Sequence, residues 1–187
     1  EMLRSLVGSE MCIRDSLYTG AGGVASEIGH LRPGLDCTAP EQIVESLAAG
    51  WGIAAEARRR MEEEGDKRLS QDLLSSEAVR AADSGQDARA SRLGAVSARD
   101  VARAAAAGDP LAREVLDRAC RTYGWALAQM ITLLAPDVVV LGGGVSLSGE
   151  ELFFAPVRRY VRQYVFPPLQ DTYRIVPAAL GEEVVLH

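Results

Sequence analysis

The 187 residues contain no asparagine and a single lysine, Lys67, against nineteen arginines. With no lysine behind a glycine-rich stretch, a P-loop of the GxxxxGK(S/T) type is excluded. With no asparagine, chemistry that needs an Asn–Asp pair cannot come from this chain. Three cysteines, Cys12, Cys37 and Cys120, do not make a disulfide framework, so a reduced, cytoplasmic setting is expected. No apolar run approaches the roughly 18 residues of a membrane span, and no membrane partner is expected. The balance of 20 basic and 26 acidic residues leaves a net charge of -6, which argues against a nucleic-acid-binding surface on this segment. Against these absences, 48% hydrophobic and 25% charged residues suffice for one packed domain.

Both ends look cut. Residues 1–16, EMLRSLVGSEMCIRDS, lack helical and strand periodicity and do not form a signal peptide. The portion SLVGSEMCIRDS resembles a peptide produced when sequencing-adapter DNA is read as coding sequence. Residues 1–16 are therefore expected to be a non-native segment, with the domain occupying 17–187. The other end stops within the apolar run Val184-Val185-Leu186.

Between the ends, the pattern predicts alternating helices and strands. Leu17 to Gly23 reads as a strand edge entering a glycine-rich loop. Thr38-Ala39-Pro40-Glu41 predicts a capping-box helix start that buries Ile43, Leu47 and Ala48. Gly50 and Gly52 predict an interruption before a second helix from about Ile53 to Glu63. Residues 66–95 are polar and read as a surface excursion with short helices. Ser97 to Asp100 predicts another cap, and Asp109-Pro110 opens the longest helix as N-cap and N1. Its apolar stripe runs through Leu111, Val115, Ala119, Thr122 or Tyr123, Ala126 and Met130 to Leu133 and Leu134. Val138 to Leu141 predicts a strand covered on both faces. Ser148 and Glu151 predict a capping box for the helix carrying Val157 and Val161, and Tyr173 to Ala178 a last strand. The order predicts an α/β fold with a parallel component.

Two stretches could carry chemistry. Glu27-Ile28-Gly29-His30 follows the loop TGAGG at 19–23, so an acid and an imidazole stand beside backbone that a ligand can approach closely. A carboxylate accepts from vicinal hydroxyls and a histidine donates or accepts. Alone, the pair reads first as a solvated structural turn, and the loop is also readable as a phosphate cradle. The second stretch is Leu141-Gly142-Gly143-Gly144-Val145-Ser146. A strand that ends in glycines before a helix forms the crevice where nucleotides bind, or a tight turn with no ligand. Its spacing is not GxGxxG.

Together these elements resemble the ROK family of sugar kinases and sugar-responsive repressors. GAGGVASEIGH is similar to the family's G-x-x-G-x-A-G-E-I-G-H, VESLAAGWGIAAEA to the helix opening on its glutamate, and LAPDVVVLGGGVS to its nucleotide-side segment. The resemblance covers about Leu17 to His187. It implies the C-terminal domain of an actin-like, ribonuclease-H-like ATPase fold, truncated at both ends. It implies that Glu27, His30 and Glu45 hydrogen-bond a hexose or N-acetylated hexose, and that Gly142, Gly143, Gly144 and Ser146 contact ATP. In the intact parent, Mg²⁺ would offset the phosphate charge, and a homo-oligomer is implied. A sugar-sensing repressor lobe is the alternative.

The departures from the family pattern matter too. Ser26 stands where the family has glycine. The family's zinc cysteines would fall on Asp36, Thr38 and Ile43, with Cys37 one position out of register, so no zinc site is expected. The Thr38 capping box and the proline turn are expected to hold that loop instead. The family's catalytic aspartate belongs to an Asn–Asp pair, so no catalytic base is expected here.

Overall fold

The computed structural model describes residues 11–13, 16–18, 20–21, 25, 27–63 and 94–179. The hairpin β1 (Met11–Ile13) and β2 (Ser16–Tyr18) pairs antiparallel, Cys12 opposite Leu17. Two helices follow, α1 (Val44–Ala48) and α2 (Gly50–Glu63), then α3 (Ala98–Ala107) and α4 (Pro110–Leu134). Strand β3 (Val138–Leu141), helix α5 (Ala155–Tyr164) and strand β4 (Arg174–Pro177) complete the order. β3 and β4 are parallel, Val139 opposite Ile175, with α5 as the crossover. This is the expected mixture of helix and parallel strand. No described helix is long and apolar enough to cross a membrane.

Helix α4 organises the core. Its sequence places Leu111, Val115, Ala119, Tyr123, Ala126 and Ile131 on buried positions at helical spacing. The helices α1, α2, α3 and α5 all pack against it. Two side-chain caps set the entries to α3 and α4. Ser97 and Asp100 form the expected capping box, and the Asp109 carboxylate accepts from Ala112 N at 2.7 Å. Gly108 makes the turn between the helices at φ 101°, a conformation glycine adopts without a Cβ penalty.

Several local expectations are corrected. No helix starts at Thr38. The Gln42 side chain accepts from Ala39 N at 2.9 Å and holds a turn there, and α1 begins at Val44 with Ile43 as an uncapped N-cap. A glutamine reaching back three residues satisfies the same amide that a helix would have left open. Val44 and Ala48 are buried, whereas Ile43 and Leu47 are only half-buried. Gly50 and Gly52 lie inside α2; the break falls at Ala49, whose backbone is extended.

Ser148 caps nothing. A 3-10 turn at Ser146–Ser148 and a π-turn at Glu150–Phe154 lead into α5, and neither has a side-chain cap. The widened turn leaves the Leu152 carbonyl free to accept from Cys120 Sγ at 3.5 Å. The apolar stripe of α4 ends earlier than expected, since Leu133 is 82% exposed. β3 is covered on one face only, and β4 is its one partner among the described residues. Val139 is buried while Val138 and Val140 are exposed. Of the excursion expected at 66–95, only Gly94 and Ala95 lie within the described residues.

Candidate functional site

The Glu27–His30 segment forms one tight turn. His30 N donates to Glu27 O and Leu31 N to Ile28 O, each at 3.1 Å. The turn buries Gly29 and projects both polar side chains outward. His30 Nδ1 stands 3.9 Å from Glu27 Oε2, with the imidazole 66% and the carboxylate 39% exposed. At that separation the two groups share a field without sealing each other off, so each keeps capacity for a ligand.

Glu45 is brought to this turn by one backbone bond. Val44 N donates to Leu31 O at 2.9 Å. Leu31 follows His30 and Val44 precedes Glu45, so the clamp joins the two expected site residues through their immediate neighbours. α1 packs on the turn, and both lie against α4. Glu45 is half-buried in the first turn of α1. The loop between, residues 32–43, is held by Arg32 Nη1 donating to Cys37 O at 2.9 Å and by the Gln42 turn. The expected Thr38 capping box is thus replaced by a guanidinium and an amide. Cys37 is a half-buried free thiol.

The glycine turn lies elsewhere. Gly143 adopts φ +90°, and a Cβ added at Gly143 or Gly144 would enter open space. The Ser146 hydroxyl donates to Gly143 O at 2.7 Å, so it braces the turn from within and is itself buried. Next to the turn lies a cavity of about 150 Å³, lined by Gly144, Val145, Ser148, Ala98, Ala102 and Leu116 among others. Its wall is mostly apolar, beside bare glycine backbone. None of Glu27, His30 and Glu45 lines it. Gly50 connects the two regions: a Cβ there would lie 3.6 Å from Ala98 Cβ and 4.0 Å from Val145 Cγ2. The α1–α2 junction therefore runs from Glu45 to the edge of the glycine turn in five residues.

Tyr123 of α4 is buried. Its place in the apolar stripe of α4 marked it as core, and nothing in the local pattern separated it from its aliphatic neighbours. Burial pushes its phenol up to about 12, with Cys120 and the Glu45 carboxylate adding to the effect. Among the described residues, no group of three or more His, Cys, Asp and Glu side chains is placed to hold a metal ion.

Comparison with known proteins bears on the whole chain. The ROK family model matches residues 7–186. A glucokinase of Halalkalibacterium halodurans is 28% identical over 182 residues, covering 95% of this chain and 50% of its own. The crystal structure of a ROK family glucokinase from Streptomyces griseus, in complex with glucose and AMPPNP, superposes with a TM-score of 0.69. It is 24% identical and covers 95% of this chain and 54% of its own. A ROK family transcriptional regulator, a homologue of the E. coli MLC protein, superposes at 0.68 with 21% identity, over 90% of this chain and 38% of its own. These superpositions show a shared fold. The chain spans about half the length of the curated relatives it matches.

Proposed function

The chain belongs to the ROK family, and on that premise we propose that it is the sugar- and nucleotide-facing part of an ATP-dependent hexose kinase. In this reading it is the C-terminal domain of an actin-like ATPase fold. Glu27, His30 and Glu45 take the hydroxyls of a hexose or N-acetylated hexose, and Gly142, Gly143 and Gly144 take the nucleotide. The observation that carries the reading is the Val44–Leu31 backbone bond, which joins His30 and Glu45 through adjacent residues. The cavity beside the glycine turn, which none of Glu27, His30 and Glu45 lines, supports a nucleotide place apart from them. The glucokinases among the relatives favour this reading.

Phosphoryl transfer from ATP to a sugar hydroxyl depends on positioning and on electrostatic stabilisation of the transferred group. This chain supplies the positioning half. Glu27 and Glu45 accept from sugar hydroxyls and orient the ring, while His30 donates or accepts beside them. Bare glycine backbone lets the nucleotide approach closely. Magnesium bound with the nucleotide would offset its phosphate charge. The base that takes the hydroxyl proton is not assigned to any residue of this chain, which has no Asn–Asp pair.

The regulator's superposition over 90% of the chain favours one second reading, a sugar-sensing repressor lobe. Calorimetric titration of the chain with glucose and, separately, with AMPPNP distinguishes them. A kinase part binds both ligands. A repressor lobe binds sugar alone. Binding of neither contradicts both readings.

A further inference from the structure

Helix α1, which carries Glu45, does not hold its own shape. It has five residues, and its N-cap Ile43 makes no side-chain cap. A helix of little more than one turn is unfavourable alone and takes its geometry from what it touches. Three restraints fix one side and both ends. Val44 and Ala48 are buried, and α1 packs on α4. Val44 N donates to Leu31 O at 2.9 Å at the start, and Ala49 N donates to Glu45 O at 2.9 Å at the end.

The fourth restraint comes from α2, at Gly52. A Cβ on Gly52 would stand 2.2 Å from Ser46 O, 2.7 Å from the Ser46 carbonyl carbon and 3.3 Å from Glu45 O. The first two distances are shorter than any Cβ approaches backbone. The consecutive carbonyls of Ser46 and Glu45 therefore rest on the bare Cα of the glycine. Gly52 is itself buried inside α2, where glycine weakens a helix relative to alanine. Gly50, two residues earlier in the same helix, gives the contrast. A Cβ there would meet Ala98 Cβ at 3.6 Å and Val145 Cγ2 at 4.0 Å, which is ordinary contact. Within α2 the tight constraint thus falls on the glycine beneath Glu45 and Ser46. Ser46 and Gly52 also border a cavity of about 160 Å³, so the Ser46 carbonyl has space to yield into. A side chain at position 52 would shift that carbonyl, and the next residue back along the chain is Glu45.

We propose that Gly52 is a positioning residue of the sugar subsite: its bare Cα seats the Glu45 and Ser46 carbonyls and so fixes where the Glu45 carboxylate stands. The inference rests on the reading of Glu45 as a sugar-binding residue. Gly52 touches no ligand and acts through Glu45 alone.

Thermal unfolding and calorimetric titration with glucose and with AMPPNP, on the full chain, test it. The variants are Gly52→Ala, Glu45→Gln, the two combined, and Gly124→Ala. The last controls for overpacking against α5 rather than α1, since a Cβ on Gly124 would stand 2.3 Å from Tyr160 Cβ. Gly52→Ala is expected to fold and to bind glucose about tenfold more weakly, the order of one displaced hydrogen bond, with AMPPNP affinity unchanged. Gly124→Ala is expected to melt lower and keep wild-type glucose affinity. The combined variant supplies the readout that a purely structural glycine would not move. Glu45→Gln lowers glucose affinity about tenfold in wild type, but about threefold or less in Gly52→Ala, because the carboxylate has already left its place. Unchanged glucose affinity in Gly52→Ala, additive losses in the combined variant, an equal loss in Gly124→Ala, or failure of Gly52→Ala to fold overturns the proposal. If wild type binds no glucose, or Glu45→Gln binds it as wild type does, the reading of Glu45 fails and the proposal falls with it. Glucose binding that depends on Glu45 but not on Gly52 leaves that reading standing and removes the positioning role alone.

Discussion

Gly124 of α4 lies so close to Tyr160 of α5 that a Cβ on the glycine would stand 2.3 Å from Tyr160 Cβ and 3.1 Å from its carbonyl carbon. Real side chains do not approach so closely, and the opposing atoms include helix backbone, which cannot swing aside. The glycine sets how near the longest helix comes to the crossover helix, and so how β3 and β4 sit on the core. Replacing it by alanine gains about 1 kcal/mol of helix propensity. Overpacking costs about 1–3 kcal/mol and prevails here because backbone must shift. Gly124→Ala is therefore expected to lower the urea midpoint at pH 7, with Gly124→Val lowering it further.

The charge cluster on α2 gives a pH prediction. Glu56 is held well below the ordinary carboxylate value of 4.5, at about 2, first by its hydrogen bond to Arg59 and then by Arg60 and Arg118, against the opposing effect of burial. The contacts are 2.9 Å to Arg59 Nη2, 3.1 Å to Arg60 Nε and 2.7 Å to Arg118 Nη1. A depressed folded-state value means that the unfolded chain takes up the proton first as pH falls. The stabilisation is thus complete above about pH 4.5 and disappears as pH falls towards 2. Arg59 and Arg118 are half exposed, so solvent screening reduces the contribution to about 1 kcal/mol. Denaturant titrations of Glu56→Gln should show that deficit at pH 7 and converge with wild type near pH 2.

At the glycine turn, Gly144→Val is the cleaner probe. Gly143 has φ +90° and would be strained by any side chain, whereas Gly144 does not carry that constraint and a Cβ there meets open space. A valine would occupy the ground beside the cavity without unfolding the turn. AMPPNP affinity measured by calorimetry is expected to fall at least about tenfold, equivalent to ~1.4 kcal/mol, with glucose affinity unchanged. Equal loss of both ligands would place the two sites together.

Metal content is a further check. Asp36, Thr38 and Ile43 stand where the family's zinc cysteines would fall, and Cys37 is engaged through its carbonyl in the Arg32 turn. Elemental analysis of the purified chain is expected to find no stoichiometric zinc. One zinc per chain, lost on replacing Cys37, would contradict this.

Much of the helical core was legible because period and caps agreed. The Ser97 box, the Asp109-Pro110 start and the buried positions of α4 follow from residues a few places apart. What was not legible depended on competing local bonds or on longer reach. A Gln42 side chain that satisfies Ala39 N competes with the helix that Thr38 and Glu41 would start, and local sequence cannot rank the two. The exposed face of β3 depends on what packs over it, and a β-branched run reads the same whether one face or two are covered. For the site, the Glu27–His30 turn was visible as a motif. The bond from Val44 to Leu31 that brings Glu45 to it crosses thirteen residues and was reachable only through family resemblance.

The most direct test of the account is the glucose affinity of Glu27→Gln compared with wild type, measured by calorimetry together with AMPPNP affinity. Glutamine keeps the size and loses the charge-assisted acceptor that a sugar hydroxyl needs. The account predicts glucose affinity weaker by about one to two orders of magnitude, from roughly 1–3 kcal/mol for a lost buried hydrogen bond, with AMPPNP affinity unmoved. Unchanged glucose affinity in Glu27→Gln would contradict it and leave the Glu27–His30 turn a structural one.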